Sequence, residues 1–236
     1  MLKLVAFSKK RMEDFHPDKM VEDRKKSQNM VLAIAVAQDI LEQTKTHFSD
    51  SAIDLIFCTG EGEIAQTFEF YKNLANGERA RPVVFQNSLH NSTLGALSLA
   101  VANISSGITV SNGDISFEMA LDLALTSTSK NPILIVGADV YVDKVFELRK
   151  KSYEDHVDLV SGACAGFFIP HTHPLFDTFS EPTISDITIE SNNNFSESTF
   201  SSYYPANGLE GIFEGLKHSS HFSLNRPKHY QVHINA

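Results

Sequence analysis

The chain has 236 residues, 42% of them apolar and 21% charged, with 20 Lys+Arg against 29 Asp+Glu. That length makes one large domain or two small ones, and roughly a hundred apolar residues form a core that needs no metal or disulfide staple. A net charge of −9 excludes a protein that coats phosphate backbones, which takes clustered Lys and Arg, and the one dense basic run, Arg24-Lys25-Lys26, follows Glu22 and Asp23 as a solvated helix face.

The first 170 residues alternate between strand and helix periodicity. Residues 2–7 form a short apolar strand, and 21–44 a helix whose Met30, Ala33, Ile34, Ala37 and Leu41 recur at helical spacing. Residues 52–58 (AIDLIFC) form a strand, Thr59-Gly60-Glu61-Gly62 turns, and a helix follows over 64–74. After a loop at 76–82, residues 91–102 are helical, 107–111 (GITVS) form a strand, and Asn112-Gly113-Asp114 opens another helix. Residues 132–137 (PILIVG) and 161–169 are buried strands. The tail holds a polar loop at 191–202 (SNNNFSESTFSS), a short helix at 209–216 and a closing strand at 229–234. Alternating β and α implies an α/β fold with mostly parallel strands.

The helix opened by Asp114 is apolar almost all round, interrupted only by Ser116, Glu118 and Asp122, so it must be buried on more than one side. No secretory h-region precedes Ser8-Lys9-Lys10-Arg11, and the longest apolar stretches, 30–37 and 94–102, fall short of the about 18–20 residues of a membrane span. A cytoplasmic protein with free thiols at Cys58 and Cys164 is therefore expected, with no nucleic-acid partner and no membrane span.

Four motifs carry possible chemistry. Gly60-Glu61-Gly62-Glu63-Ile64-Ala65 has the glycine spacing of a dinucleotide turn, but two acids would face the pyrophosphate, and an acidic strand-to-helix turn explains it as well. Gly162-Ala163-Cys164-Ala165-Gly166 has the spacing of a nucleophile elbow, which makes Cys164 an alternative nucleophile; an elbow needs a helix next, and Phe167-Phe168-Ile169-Pro170 follows instead. The tail histidines, His171 and His173, His218 and His221, His229 and His233, match no catalytic zinc spacing, so no metal and no cofactor are expected. In Phe85-Gln86-Asn87-Ser88-Leu89-His90-Asn91-Ser92, Ser88 with His90 suggests nucleophilic catalysis with a distant acid, and an N-capping turn is the plainer reading.

The strand GITVS, a turn, a helix carrying Ala120, Leu121 and Ala124, and then PILIVGADV resemble the core of β-ketoacyl synthases. FQNSLHNSTLGALSLA is similar to the family's short N-terminal-like branch, related to chain-length factors. The resemblance covers about residues 1–170 and implies a layered α/β/α thiolase-like fold, truncated relative to full ketosynthases. On that reading residues 1–170 are the ketosynthase N-terminal-like domain and 171–236 a shortened C-terminal completion. The family's nucleophilic Cys falls at Asp114, six residues before Ala120 and ten before Ala124; Asn87, Ser88, His90, Asn91 and Gly113 line the pocket. The two catalytic histidines of a full synthase have no counterpart, and His218 and His229 lie in neither of their contexts. The resemblance thus implies a catalytically silent subunit, paired with an active ketosynthase or with a second copy through GITVS, in fatty-acid, polyketide or aryl-polyene-type biosynthesis. It would meet acyl carrier protein only indirectly, since both are acidic. An acyltransferase or thioesterase-type enzyme using Cys164 or Ser88 and His90, and a non-covalent acyl-chain binder, are the alternatives.

Overall fold

A computed structural model describes residues 1–14, 26–79, 81–141, 147, 158–191, 202–203, 208–226 and 230–236. Strand β1 (Leu2–Arg11) is followed by helix α1 (Gln28–Phe48), whose first turn is fastened by the Ser27 hydroxyl accepting from Met30 N at 3.1 Å. The start expected at residue 21 lies outside the described residues, and the helix runs past 44 to Phe48, which buries its ring beside Phe167 and Phe179. Strand β2 (Ile53–Cys58), α2 (Ile64–Ala75), α3 (Pro82–Asn87), α4 (Ser92–Ala100) and β3 (Ile104–Val110) come next. A 3₁₀ turn at Gly113–Ile115 leads into α5 (Ser116–Thr126), then β4 (Ile133–Asp139), the short β5 (Asp158–Leu159) and β6 (Gly162–Pro170). The tail adds β7 (Thr183–Ile184), β8 (Asp186–Ser191), β9 (Ser202–Tyr203), α6 (Gly208–His218), β10 (His221–Arg226) and β11 (Tyr230–Asn235). Most of the loop expected at 191–202 lies outside the described residues.

The main sheet has six strands in the order β3-β2-β4-β6-β1-β7. Only β3, β2 and β4 run parallel; β4 with β6, β6 with β1, and β1 with β7 are antiparallel, so the sheet is mixed rather than mostly parallel. Alternation along the fully buried strands β4 and β6 feeds two cores. Leu134 and Val136 of β4 pack with Leu32, Ala33 and Val36 of α1, whereas Ile133 and Ile135 face the opposite way, onto Phe117, Ala120 and Leu121 of α5.

Strand β8, β11 and β10 form a second, antiparallel sheet whose Ile187, Leu224, Val232 and Ile234 close over α5 from its other side. The all-round apolar helix is therefore sandwiched between two sheets, as its sequence requires. Of the two acids that interrupt it, Glu118 is fully buried and Asp122 half-exposed. Glu118 lies where Gly208 opens α6: a Cβ at Gly208 would come within 2.5 Å of its Oε1, so only glycine lets α6 start there. The tail is further tied to β1 by Lys3, whose buried Nζ donates to Phe176 O at 2.8 Å and Phe179 O at 2.7 Å.

Leu121 is fully buried between the two sheets. Leu121→Ala is expected to lower the unfolding free energy by about 2–5 kcal/mol, read from urea denaturation. Leu99→Ser, at a residue 92% exposed, should stay within about 0.5 kcal/mol of wild type.

Candidate functional site

The parallel strands β2 and β3 deliver their C-terminal ends to the N-terminal end of α5, and the chain turns sharply at each. After β2, Thr59 Oγ1 donates to Asp139 Oδ1 at 2.7 Å and accepts from Gly62 N at 2.8 Å, closing a turn on its own side chain. Asp139, the last residue of β4, also accepts from Gly60 N at 3.0 Å and Glu61 N at 2.8 Å. One carboxylate oxygen thus organises three donors in a fully buried position.

The turn at the end of β3 is locked to the first by Ser116. Its hydroxyl accepts from Asn112 N at 2.9 Å and lies 2.9 Å from Thr59 O and 2.7 Å from Gly113 O. Gly113 has φ +56°, a left-handed conformation that glycine adopts without strain, and Asp114 follows as a buried residue of the 3₁₀ turn leading into α5. His90 lies against the first turn: Gly62 has φ +62°, and a Cβ there would fall 2.5 Å from His90 Nδ1.

At the far end of the 59–63 turn, Glu63 Oε1 accepts from Ser27 Oγ at 2.9 Å, from Asn29 Nδ2 at 3.5 Å and from the Thr93 hydroxyl, so that α1, α2 and α4 meet on one carboxylate. Burial raises the Glu63 carboxyl above its ordinary range, against the pull of those three bonds. Burial likewise pushes Asp139 up to about 7; its bonds from Glu61, Thr59 and Gly60 act the other way, and the charge of Glu61 adds to the rise. With Glu63 and Asp139 both committed to protein donors, the turn is the acidic strand-to-helix connection and not a pyrophosphate cradle.

The structure gathers Gly113 and Asp114 at one end of the linked turns and His90 at the other. Ser88 stands beside them on the α3–α4 connection, tied to α2 by Thr67 Oγ1 donating to Ser88 O at 3.3 Å, with half-buried Asn87 and exposed Asn91 on the same connection. The Ser88 hydroxyl donates to Phe85 O at 2.7 Å rather than to His90. Nor does Asn91 cap α4 with its side chain. Cys164 is fully buried in mid-strand, paired opposite Gly137, without the exposed strand-to-helix turn of an elbow.

His229 lies outside the described residues, and the other tail histidines form no common cluster. His233 Nδ1 meets Ser223 Oγ at 2.7 Å and its Nε2 lies 3.7 Å from Glu190 Oε2, all on the outer face of the second sheet. No group of three metal-ligating acids, histidines or cysteines forms among the described residues, and no helix among them is long and apolar enough to cross a membrane. Thr59, Ser116, Glu63 and Thr93 gained no separate role from the sequence. Their signal was polar residues set at the ends of otherwise apolar runs.

A mixed sheet, a second sheet, and a helix buried between them with its N-terminal end at linked turns define a layered α/β protein of the thiolase-like type. The chain belongs to the β-ketoacyl synthase N-terminal domain family, whose model matches residues 10–171. Comparison with curated proteins gives no match. Among solved structures, it is similar over 100% of its length to 99% of a chain of the ketosynthase ApeO in complex with its chain length factor ApeC from Xenorhabdus doucetiae, with TM-score 0.72 and 19% identity. It is also similar to the ishigamide ketosynthase/chain length factor, at TM-score 0.61 and 14% identity over 76% of this chain and 54% of that one. A β-ketoacyl synthase from Burkholderia phymatum STM815 matches at TM-score 0.58 and 13% identity, over 80% and 53%. The chain thus spans about half the length of the last two and nearly all of the first.

The buried acid at Asp139 fixes a pH dependence. Its folded pKa of about 7 stands above the ordinary 3.8, so between those values the folded state holds a proton that the unfolded chain lacks. Stability therefore rises as pH falls from about 7 toward 4, and Glu63, also raised, acts in the same direction. Denaturation at pH 7.5 and 5.5 should show a gain of about 2 kcal/mol from this group in the wild type, absent in Asp139→Asn.

Proposed function

We propose that this chain is a catalytically silent ketosynthase-like subunit of chain-length-factor type. It would act in the cytoplasm with an active ketosynthase in fatty-acid, polyketide or aryl-polyene-type biosynthesis. Residues 1–170 would supply the ketosynthase-like half and 171–236 a shortened completion of the fold. The observation that carries the reading is Asp114. It occupies the turn into the doubly buried helix, the position to which the family resemblance assigns the acyl-accepting cysteine. A carboxylate is a poor acyl acceptor, because the mixed anhydride it would form hydrolyses readily. Asp114 and Gly113 at one end of the linked turns, and His90, Ser88, Asn87 and Asn91 at the other, then shape a site without performing acyl transfer.

The edge of the main sheet supports a protein partner. Strand β3 is paired to β2 on one side, and its residues 105–108 are exposed, with Ile108 at 47%. Beside it, Ile108, Ser106 and Leu123 border a groove of about 310 Å³. An uncapped edge strand is a template for pairing with a second chain, and a ketosynthase strand is the occupant proposed. The partner would also take on the docking of acyl carrier protein.

Two measurements test this reading. Co-expression with a cysteine-containing ketosynthase should yield a one-to-one heterodimer by native mass spectrometry, and Ile108→Asp should weaken it by about 100-fold. Intact mass after incubation with a panel of acyl thioesters should show no adduct. A stoichiometric adduct mapped to one residue would overturn the silent-subunit reading and make the chain an acyltransferase-type enzyme.

A further inference from the structure

The groove beside β3 is apolar along one side and acidic at one end. Buried Ile56 and Ile133, with Leu123 and Ile108 at 37% and 47% exposure, form the apolar side. At the polar end stand half-buried Asp54 of β2 and Thr126, the last residue of α5. Asp54 accepts from Ser106 Oγ at 2.8 Å and from Asn131 Nδ2 at 3.3 Å, both on Oδ1, which leaves Oδ2 for a further donor. The last carbonyls of a helix lack intrahelical partners and carry a partial negative charge. Helix α5 has no basic residue in its last turn to offset that charge. Lys130, the next basic residue along the chain, is exposed and does not line the groove.

Register decides what can reach this end. Asp54 is paired with Ser106, and Ser106 and Ile108, two apart on β3, both border the groove. A strand added outside β3 presents every second side chain on that same face. Such a strand lies two strand spacings from β2, about 9.5 Å. A serine or aspartate does not cross that gap, whereas an extended lysine or arginine, met by the Asp54 side chain, does. We propose that the groove receives one basic side chain, arginine or lysine, from the ketosynthase strand paired on β3. Its aliphatic stem lies over Ile108 and Leu123, and its cationic head meets Asp54 and the end of α5. The inference rests on the silent-subunit reading above and adds the chemistry of the partner's contact. Ile108 lies under the stem and not at the head, so an acid there loses apolar contact without gaining an ion pair. The net charge of −9 favours a partner surface of the opposite sign.

The test compares wild type, Asp54→Asn and Asp177→Asn in binding to an immobilised cysteine-containing ketosynthase. An amide oxygen at position 54 still accepts from Ser106 and Asn131, so the fold is kept. Asp177 is an exposed acid on the 3₁₀ turn Phe176–Thr178, beside β1 and four strands away from β3. Truncating a desolvated charge pair acts on dissociation, so Asp54→Asn should dissociate about 10–100-fold faster with its association rate nearly unchanged. Asp177→Asn should match wild type. An unchanged dissociation rate in Asp54→Asn, a change confined to association, or the same loss in Asp177→Asn would each overturn the proposal. In the lone wild-type chain, N-butylguanidinium should shift the Ser106, Ile108 and Thr126 amide resonances, and 1-butanol should not. Equal shifts with butanol would make the groove a merely apolar one and overturn the proposal as well. A wild-type chain that forms no heterodimer overturns the silent-subunit reading, and the butylguanidinium titration then decides the groove separately.

Discussion

The burial of α5 on two opposite sides is the constraint on which the rest of the molecule depends. A helix with Phe117, Ala120, Leu121 and Ala124 turned inward leaves only the stripe of Met119, Asp122, Leu123 and Thr126 partly to water. One sheet covers only half of it. The tail supplies the other half with three short antiparallel strands, and residues after 170 are thereby committed to the same core as those before it. The outer face of this second sheet alternates to Ser223, His233 and Glu190, polar residues suited to solvent.

Burying a helix so completely creates a problem at its ends, where backbone groups lack intrahelical partners. Here the N-terminal end is resolved by side chains of neighbouring elements. Ser116 binds back to the turns after β2 and β3, and Thr59 and Asp139 satisfy the first of those turns. An uncharged network of that size would be ordinary. An acid at its centre, held by three donors yet fully desolvated, makes the same architecture sensitive to protons.

Several elements were legible because local pattern and burial agree. Residues 132–137 are continuously apolar and lie in a strand covered on both faces; the helix after Asp114 is apolar all round and is sandwiched. Others were hidden by the same physics. Strand β8 (Asp186–Ser191) and β10 (His221–Arg226) have one wet face and bury few large residues, so their six-residue alternation resembles a loop rich in Ser and Asn. Helix α3 (Pro82–Asn87) is a single short segment with Val84 alone buried, too brief for periodicity to register. Within the site, His90, Gly113 and Asp114 stood out by motif. Ser27, Asn29 and Thr93 are ordinary polar residues that matter only because three helices bring them to Glu63.

The amino-acid sequence by itself determined the α/β class, the doubly buried helix and the acid at its opening, because each is a matter of hydrophobic period and local turn chemistry. Only the tertiary structure decided that three of the main sheet's five pairings are antiparallel, that Glu118 goes inside, that Cys164 lies buried in mid-strand and that the Ser88 hydroxyl turns to Phe85 O. The reason is that strand direction and side-chain partnership depend on residues far apart in the chain: Asp139 and Thr59 are 80 positions apart and meet only when β2 and β4 lie side by side.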